Sequence, residues 1–96
     1  MASSTATTPA SKHWYKSTFP NEMQSLQYHW QKHGQSFGNT MDEYTNDALT
    51  FFAHNKHLGQ NITLKDGSSG ILIRSGKGQP GGYFTSQGQI VTFWYQ

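Results

Sequence analysis

The fold is decided by the stretch Asn61-Ile62-Thr63-Leu64-Lys65-Asp66-Gly67-Ser68-Ser69-Gly70-Ile71-Leu72-Ile73-Arg74. Its centre, Asp66-Gly67, is a typical hairpin turn. The short apolar runs on either side, residues 61–64 and 70–74, are bounded by turn residues and predict two strands. The second half of the chain is therefore expected to begin with an antiparallel strand pair.

Two more strands are predicted further along the chain. Residues 76–82 form a glycine-rich loop, which residues 83–85 follow as a third strand. After the turn at Gln87-Gly88, residues 89–95 form the fourth. Four consecutive strands joined by short turns predict an antiparallel meander.

Two helices are predicted before the sheet. Asn21 can cap the first helix, which is expected to end at Gly34. Residues 40–43 form a capping box that begins the second helix, which ends near Gly59. The predicted apolar faces comprise Met23, Leu26 and Trp30 in the first helix, and Tyr44, Ala48, Leu49 and Phe52 in the second. Two N-terminal helices packed on a four-stranded meander make an α+β domain.

Composition restricts the class of protein. The chain has 96 residues and no cysteine, which excludes a small domain held together by disulfides. We expect residues 1–12 to be a flexible tail and residues 13–96 to be one domain. A net charge of +2 mildly favours an anionic partner. Apolar runs fall short of the roughly 18–20 residues that a membrane span needs.

The segment Tyr28-His29-Trp30-Gln31-Lys32-His33-Gly34 is the candidate site of chemistry. His29 and His33 are four residues apart, so on a helix they share a face. Imidazole exchanges protons near neutral pH. Such a pair also fits a metal site, but no H-E-x-x-H pattern or obvious third ligand is present, so no metal is predicted.

Structural interpretations of the histidines remain open. His33 before Gly34 also suits a cation at the C-terminal end of a helix, where it would complement the helix dipole. His29 also suits a partly buried core position. His54 and His57 are interpreted as solvated cations at the end of the second helix.

The order of three motifs resembles a known family. The run His29-Trp30-Gln31-Lys32-His33-Gly34, with Phe37-Gly38 and then Tyr44 and Ala48, resembles the opening of bacterial toxin domains. The ending, from Gly82-Tyr83-Phe84 to Gly88-Gln89-Ile90-Val91-Thr92-Phe93-Trp94, resembles their closing hairpin. These domains are the C-terminal effectors of polymorphic toxins, carried by contact-dependent inhibition and Rhs proteins. They share the architecture of barnase, EndoU, colicin E5, colicin D and RelE.

The resemblance implies a ribonuclease that needs neither a metal nor another cofactor, because the RNA 2′-hydroxyl is the nucleophile. His33 is the first candidate for general base or acid, and His29 is its partner or a second proton carrier. Lys32 and Arg74 are the candidate phosphate contacts. The remaining candidates are Tyr83, Thr92 and Tyr95, which are expected to share one sheet face, and Lys77 of the glycine loop.

The sheet candidates have structural interpretations too. Alternation along the last strand places Ile90, Thr92 and Trp94 on one face, and Val91, Phe93 and Tyr95 on the other. Thr92 therefore fits the core as well as it fits a catalytic site. Arg74 also suits a charged residue that protects a strand edge from aggregation.

Two functions from different classes follow. The first is a monomeric toxin ribonuclease that cuts tRNA, is neutralised by a cognate immunity protein, and is delivered from outside into the cytoplasm of a target cell. Its Tyr83 and Thr92 would assist the histidines in catalysis. The second is a non-catalytic module that binds RNA or protein through its aromatic and basic residues.

Overall fold

The computed structural model describes residues 10–74, 76 and 80–95. Two helices precede a four-stranded antiparallel sheet, which confirms the predicted α+β class. Residues 1–9 of the predicted tail and Lys77 of the predicted loop lie outside the described residues. In the described ranges, no helix is long and apolar enough to cross a membrane. The elements are α1 (Glu22–His29), α2 (Met41–Asn55), β1 (Gln60–Thr63), β2 (Ser69–Arg74), β3 (Gly81–Thr85) and β4 (Ile90–Trp94).

Both helices begin at the predicted caps. The Asn21 side chain accepts a hydrogen bond from the Gln24 backbone N–H at 2.9 Å. At α2, the Glu43 N–H donates to the Thr40 hydroxyl (3.1 Å), and the Thr40 N–H donates to the Glu43 carboxylate (2.9 Å). These bonds satisfy N–H groups that have no partner inside the helix, so the sequence fixes both starting points.

The end of α1 differs from the prediction. The α-helix ends at His29, and the chain continues to Gly34 as a π-helical turn, Trp30–Gly34. This wider turn closes when the Gln35 N–H donates to the Trp30 carbonyl, five residues back. Gly34 packs so closely against Tyr44 that a Cβ on Gly34 would lie 2.8 Å from the Tyr44 Cδ1 atom. The turn therefore ends against α2 and carries Lys32 and His33.

The sheet has the strand order β1-β2-β3-β4, as a meander requires. β3 begins at Gly81 rather than at Tyr83, where it was predicted. One sheet face packs on the helices, and its core contains Ile73, Phe84 and Phe93. Directly opposed residues of neighbouring strands lie on the same face, so the register assigns a row of Leu72, Tyr83 and Thr92 to the other face.

A β-bulge corrects the predicted alternation of β4. Tyr83 pairs with Thr92, but Phe84 pairs with Ile90, which leaves Val91 as an extra residue. Ile90 consequently turns into the core, with no exposed surface, while Thr92 keeps the opposite face. The prediction that Ile90 shares a face with Thr92 was wrong because one inserted residue reverses the alternation.

The helical core positions also needed correction. Leu26 is fully buried as predicted, but Met23 is 46% exposed. In α2, Tyr44 and Ala48 are buried, whereas Leu49 and Phe52 are only partly buried. The unpredicted α2 core residues are Phe51 and Thr45; the Thr45 hydroxyl accepts a 2.9 Å hydrogen bond from the buried Trp14 indole.

Candidate functional site

A cleft of about 490 Å³ opens between the His29 side of α1, the π-helical turn and the sheet. Its volume lies within the range typical of small-molecule sites, about 300–1,000 Å³. Five of the predicted site residues line it together: His29, Lys32, His33, Tyr83 and Thr92. Distant parts of the sequence therefore meet where chemistry was expected.

The His29 ring is held by hydrogen bonding and stacking. Its Nδ1 atom lies 2.8 Å from the Ser25 carbonyl oxygen, which can only accept, so Nδ1 carries a proton. The ring stacks on Trp14, with 5.7 Å between centroids. Tyr28 and Phe19 meet it edge to face, at 5.1 and 5.7 Å. In the neutral ring, Nε2 is consequently the unprotonated, proton-accepting atom.

The environment of His29 favours the neutral imidazole. Burial lowers its pKa from 6.5 to about 4, and the nearby charges of His33, Lys32 and Lys65 add to the effect. The Ser25 carbonyl opposes this shift. His29 is therefore uncharged at neutral pH and able to accept a proton. Its half-buried position agrees with the structural interpretation, but it also lines the cleft.

His33 is half-buried and stacks on His29, with 6.3 Å between ring centroids and 8° between planes. Burial lowers the pKa of His33, and the positive charge of Lys32 lowers it further. The α-helix ends at His29, and His33 lies in the π-helical turn beyond it. The two imidazoles thus lie side by side at the cleft wall.

Two lysines line the cleft, one from the π-helical turn and one from the turn between β1 and β2. The Lys32 ammonium lies 5.7 Å from the centroid of the Tyr28 ring. Lys65 comes from the turn between β1 and β2 and was not predicted as a site residue, although it directly precedes the turn residues Asp66-Gly67. The neighbouring Asp66 carboxylate accepts hydrogen bonds from Ser68 and Tyr15, which hold its pKa at about 2. None of the five acidic residues of the chain, all of them described, lines the cleft.

The sheet contributes Tyr83, Thr92 and Trp94 to the cleft. Tyr83 and Thr92 are directly opposed across β3 and β4, so their side chains share a face. Alternation along the last strand predicted that Trp94 shares a face with Thr92. It lies on that face and packs on Tyr83, with ring centroids 5.6 Å apart. Val91, the bulged residue, is a lining residue that strand alternation could not predict.

Arg74 does not line the cleft but lies on the same sheet face. It pairs with Gly81, which pairs with Trp94 in the next strand. Its side chain is exposed at the end of β2. The register thus places Arg74 two strands away from Trp94, with a glycine between them.

Tyr95 lies on the opposite side of the sheet, so the expectation that it shares a face with Tyr83 and Thr92 was wrong. Its hydroxyl donates to the Asp47 carboxylate at 2.7 Å and accepts from the Asn39 amide at 2.7 Å. Burial and Asp47 raise the pKa of Tyr95. Tyr95 comes three residues after Thr92. Because side chains alternate along a strand, this odd spacing places Tyr95 on the other face, toward α2.

Two further histidines, His54 and His57, lie elsewhere. His54 is exposed at the end of α2, and His57 is exposed in the following turn, Lys56–Leu58. Neither lines the cleft. In the part of the chain that the structure describes, no group of three or more His, Cys, Asp or Glu side chains is arranged to hold a metal ion.

In sequence, the chain is similar to part of a protein that is named as a nuclease. The chain is 41% identical over 87 aligned positions to part of a protein named tRNA(Glu)-specific nuclease WapA, from Bacillus subtilis subsp. natto. The match covers 86% of this chain but 4% of that protein, so the chain spans a small part of its relative's length. No protein-family model matches the chain, and no solved structure matches it. The similarity makes the chain homologous to a segment of a nuclease.

Proposed function

We propose that this domain is a toxin ribonuclease that cleaves tRNA through attack of the RNA 2′-hydroxyl, without a metal ion. The observation that supports this most is that His29, His33 and Lys32 lie in one cleft that none of the five acidic side chains lines. Such a cleft attracts a polyanion and offers two proton carriers. The name of the homologous nuclease supports RNA, and tRNA in particular, as the substrate.

His29 is the proposed general base. Its Nδ1–H is engaged by the Ser25 carbonyl, so Nε2 is the atom that takes the 2′ proton while the 2′ oxygen attacks phosphorus. The neutral ring is ready to accept at neutral pH. Because an adjacent anion favours the charged imidazole, entry of the phosphate raises the pKa of His29 and improves it as a base.

His33 is the proposed general acid. It gives its proton to the 5′ oxygen as the bond between phosphorus and that oxygen breaks. The free enzyme disfavours the protonated ring. The bound phosphate supplies the negative charge that allows His33 to be protonated before the reaction. The products are a 2′,3′-cyclic phosphate and a 5′-hydroxyl.

Cations and hydroxyls would stabilise the charge that develops on the phosphorus oxygens. Lys32 and Lys65 line the cleft and supply charge directly, while Thr92 and Tyr83 can donate hydrogen bonds from the sheet. Arg74, on the same sheet face, is proposed to bind a flanking phosphate. These interactions matter most in the transition state, when the charge is greatest.

The biological setting follows from the resemblance to polymorphic-toxin effectors of the barnase-like superfamily. We propose that a larger protein delivers the domain into the cytoplasm of a target cell. A cognate immunity protein would cover the basic cleft, and we expect it to be acidic for electrostatic complementarity.

The test is incubation of the purified domain with total tRNA in EDTA, followed by a denaturing gel. The domain should give discrete fragments that end in a 2′,3′-cyclic phosphate. His33→Ala and His29→Ala should each lower the cleavage rate about 10²- to 10⁴-fold. His57→Ala, which removes an exposed histidine outside the cleft, is the matched control and should cleave normally.

A folded His33→Ala variant that cleaves at the normal rate would contradict the assignment of the acid. Fragments that appear only after Mg²⁺ is added would contradict the metal-free mechanism. Intact tRNA in every lane, together with RNA binding, would favour the non-catalytic binding module instead.

A further inference from the structure

Trp94 lies directly on the backbone of β3. A Cβ on Gly81 would come within 2.5 Å of the Trp94 Cζ2 atom and 2.8 Å of Cε2. Glycine at this position therefore lets the indole rest against the strand. The ring is half-buried and lines the cleft, so part of its surface is open to a ligand.

The aromatic pair formed by Trp94 and Tyr83 is separate from the hydrophobic core. The two rings lie 5.6 Å apart, on the sheet face that carries Thr92. The core aromatics Phe84 and Phe93 lie on the other face, against the helices. Large rings that line a cleft instead of filling a core are typical of binding sites.

The cleft that holds this aromatic pair also holds positive charge, a combination that suits a nucleotide. Lys32 and Lys65 line the same cleft, and Arg74 is in register with Gly81 and Trp94. None of the acidic residues lines the cleft. An aromatic surface beside cations binds single-stranded nucleic acid, because the ring stacks on a base while the cations contact the phosphates.

We infer that Trp94, supported by Gly81 and flanked by Tyr83, is a stacking site for an unpaired nucleobase of the RNA. This inference rests on the proposed function, and it states how the same cleft selects its substrate. A base inside a duplex is covered on both faces by its neighbours, so it cannot stack on the indole. The cleft therefore acts on single-stranded or looped RNA.

The other aromatic pair of the cleft is less suited to this role. Phe19 and Tyr28 lie 5.3 Å apart, but the Lys32 ammonium lies over the Tyr28 ring and both rings pack on His29. These contacts position the imidazole and the ammonium. Trp94 is thus the stronger candidate for the base.

The experiment uses probes that cannot be cleaved: fluorescein-labelled tetranucleotides of A, C, G or U with 2′-O-methyl groups throughout. Their binding is measured by fluorescence anisotropy. At least one probe should bind, and Trp94→Leu should weaken its binding about 5- to 150-fold, the loss expected when a base–ring stack is removed. Trp94→Phe keeps an aromatic ring and should retain most of the affinity.

Phe37→Ala is the matched control because it removes an aromatic ring that is 57% exposed and lies outside the cleft. It should bind the probe normally, and circular dichroism verifies the fold of each variant. The unsubstituted protein gives a second readout, because a base that stacks on Trp94 should quench the tryptophan fluorescence of the protein.

Equal affinity of folded Trp94→Leu and the unsubstituted protein would overturn the inference. Failure of all four probes to bind the unsubstituted protein would also overturn it. If the variants do not fold, an absence of quenching in the unsubstituted protein would have the same meaning. These results differ from failure of the proposed function, in which the unsubstituted domain leaves tRNA intact in EDTA whether or not it binds the probes.

Discussion

The rings of His29 and His33 are stacked, with 6.3 Å between their centroids and 8° between their planes. Two positive charges at this separation repel each other, and the charge of His33 contributes to the low pKa of His29. The protonated state of one ring therefore disfavours that of its neighbour. The pair is suited to holding one proton, as a reaction that takes a proton at one atom and gives one at another requires.

Burial is the main cause of the low pKa of both histidines, and Lys32 adds to it, so removal of Lys32 should be visible in their titration. Its positive charge lowers the pKa of His29 and of His33. We expect Lys32→Gln to raise both pKa values toward 6.5, as measured by NMR titration of the imidazole Cε1–H signals. Lys56→Gln removes an exposed cation outside the cleft and should leave both unchanged. Unmoved titrations in Lys32→Gln would refute the electrostatic account.

The low pKa of the half-buried His29 should make the protein less stable in mild acid. Its pKa is about 4 in the folded protein against 6.5 as the reference for the unfolded chain, so the unfolded chain binds the proton more tightly. This contribution to stability is complete above pH 6.5, is lost as the pH falls toward 4, and changes no further below that. Allowing for partial exposure, the loss is about 2–3 kcal/mol.

Urea denaturation across this pH range measures the loss. His29→Phe keeps a ring between Trp14 and His33 but cannot take up a proton, so its stability should vary less with pH. A variant with the same pH dependence as the unsubstituted protein would show that other groups cause the effect.

The parts of the fold that the sequence predicted are those with local chemical causes. The Thr40 and Glu43 capping box fixes the start of α2 by side chain to backbone hydrogen bonds between residues three apart. Asp66-Gly67 similarly fixes a turn, because Gly67 adopts a φ of 89° that favours glycine. Neighbours in the sequence determine such features without help from the rest of the molecule.

The parts that could not be predicted depend on distant packing. The bulge at Val91 and the π-helical turn after His29 each change which side chains share a surface. Lys65 joins the histidines only because the β1–β2 turn folds back toward α1. Compared with the prediction, the cleft also contains Lys65 and Trp94, and neither Tyr95 nor Arg74 lines it.

Gly34 is required by the contact of the π-helical turn with α2. A Cβ at this position would lie 2.8 Å from Tyr44 Cδ1 and 2.9 Å from Cγ, and Tyr44 has no exposed surface into which to move. Gly34→Ala should therefore lower the free energy of unfolding by about 1–3 kcal/mol. Urea denaturation tests this, with the exposed neighbouring site Gln35→Ala as the control. Unchanged stability of Gly34→Ala would mean that the turn tolerates the extra methyl group.

Substitution of Lys65 tests whether the β1–β2 turn contacts the RNA backbone in addition to the π-helical turn. A lysine that contacts a phosphate releases a counterion on binding, so its removal lowers the dependence of affinity on salt. We expect Lys65→Gln to weaken binding of tRNA by the His33→Ala variant and to reduce the slope of log affinity against log salt by about 1. Lys56→Gln in the same background should leave both quantities unchanged. If Lys65→Gln alters neither one, Lys65 makes no phosphate contact, and Lys32 and Arg74 are left as the proposed cations that contact the RNA backbone.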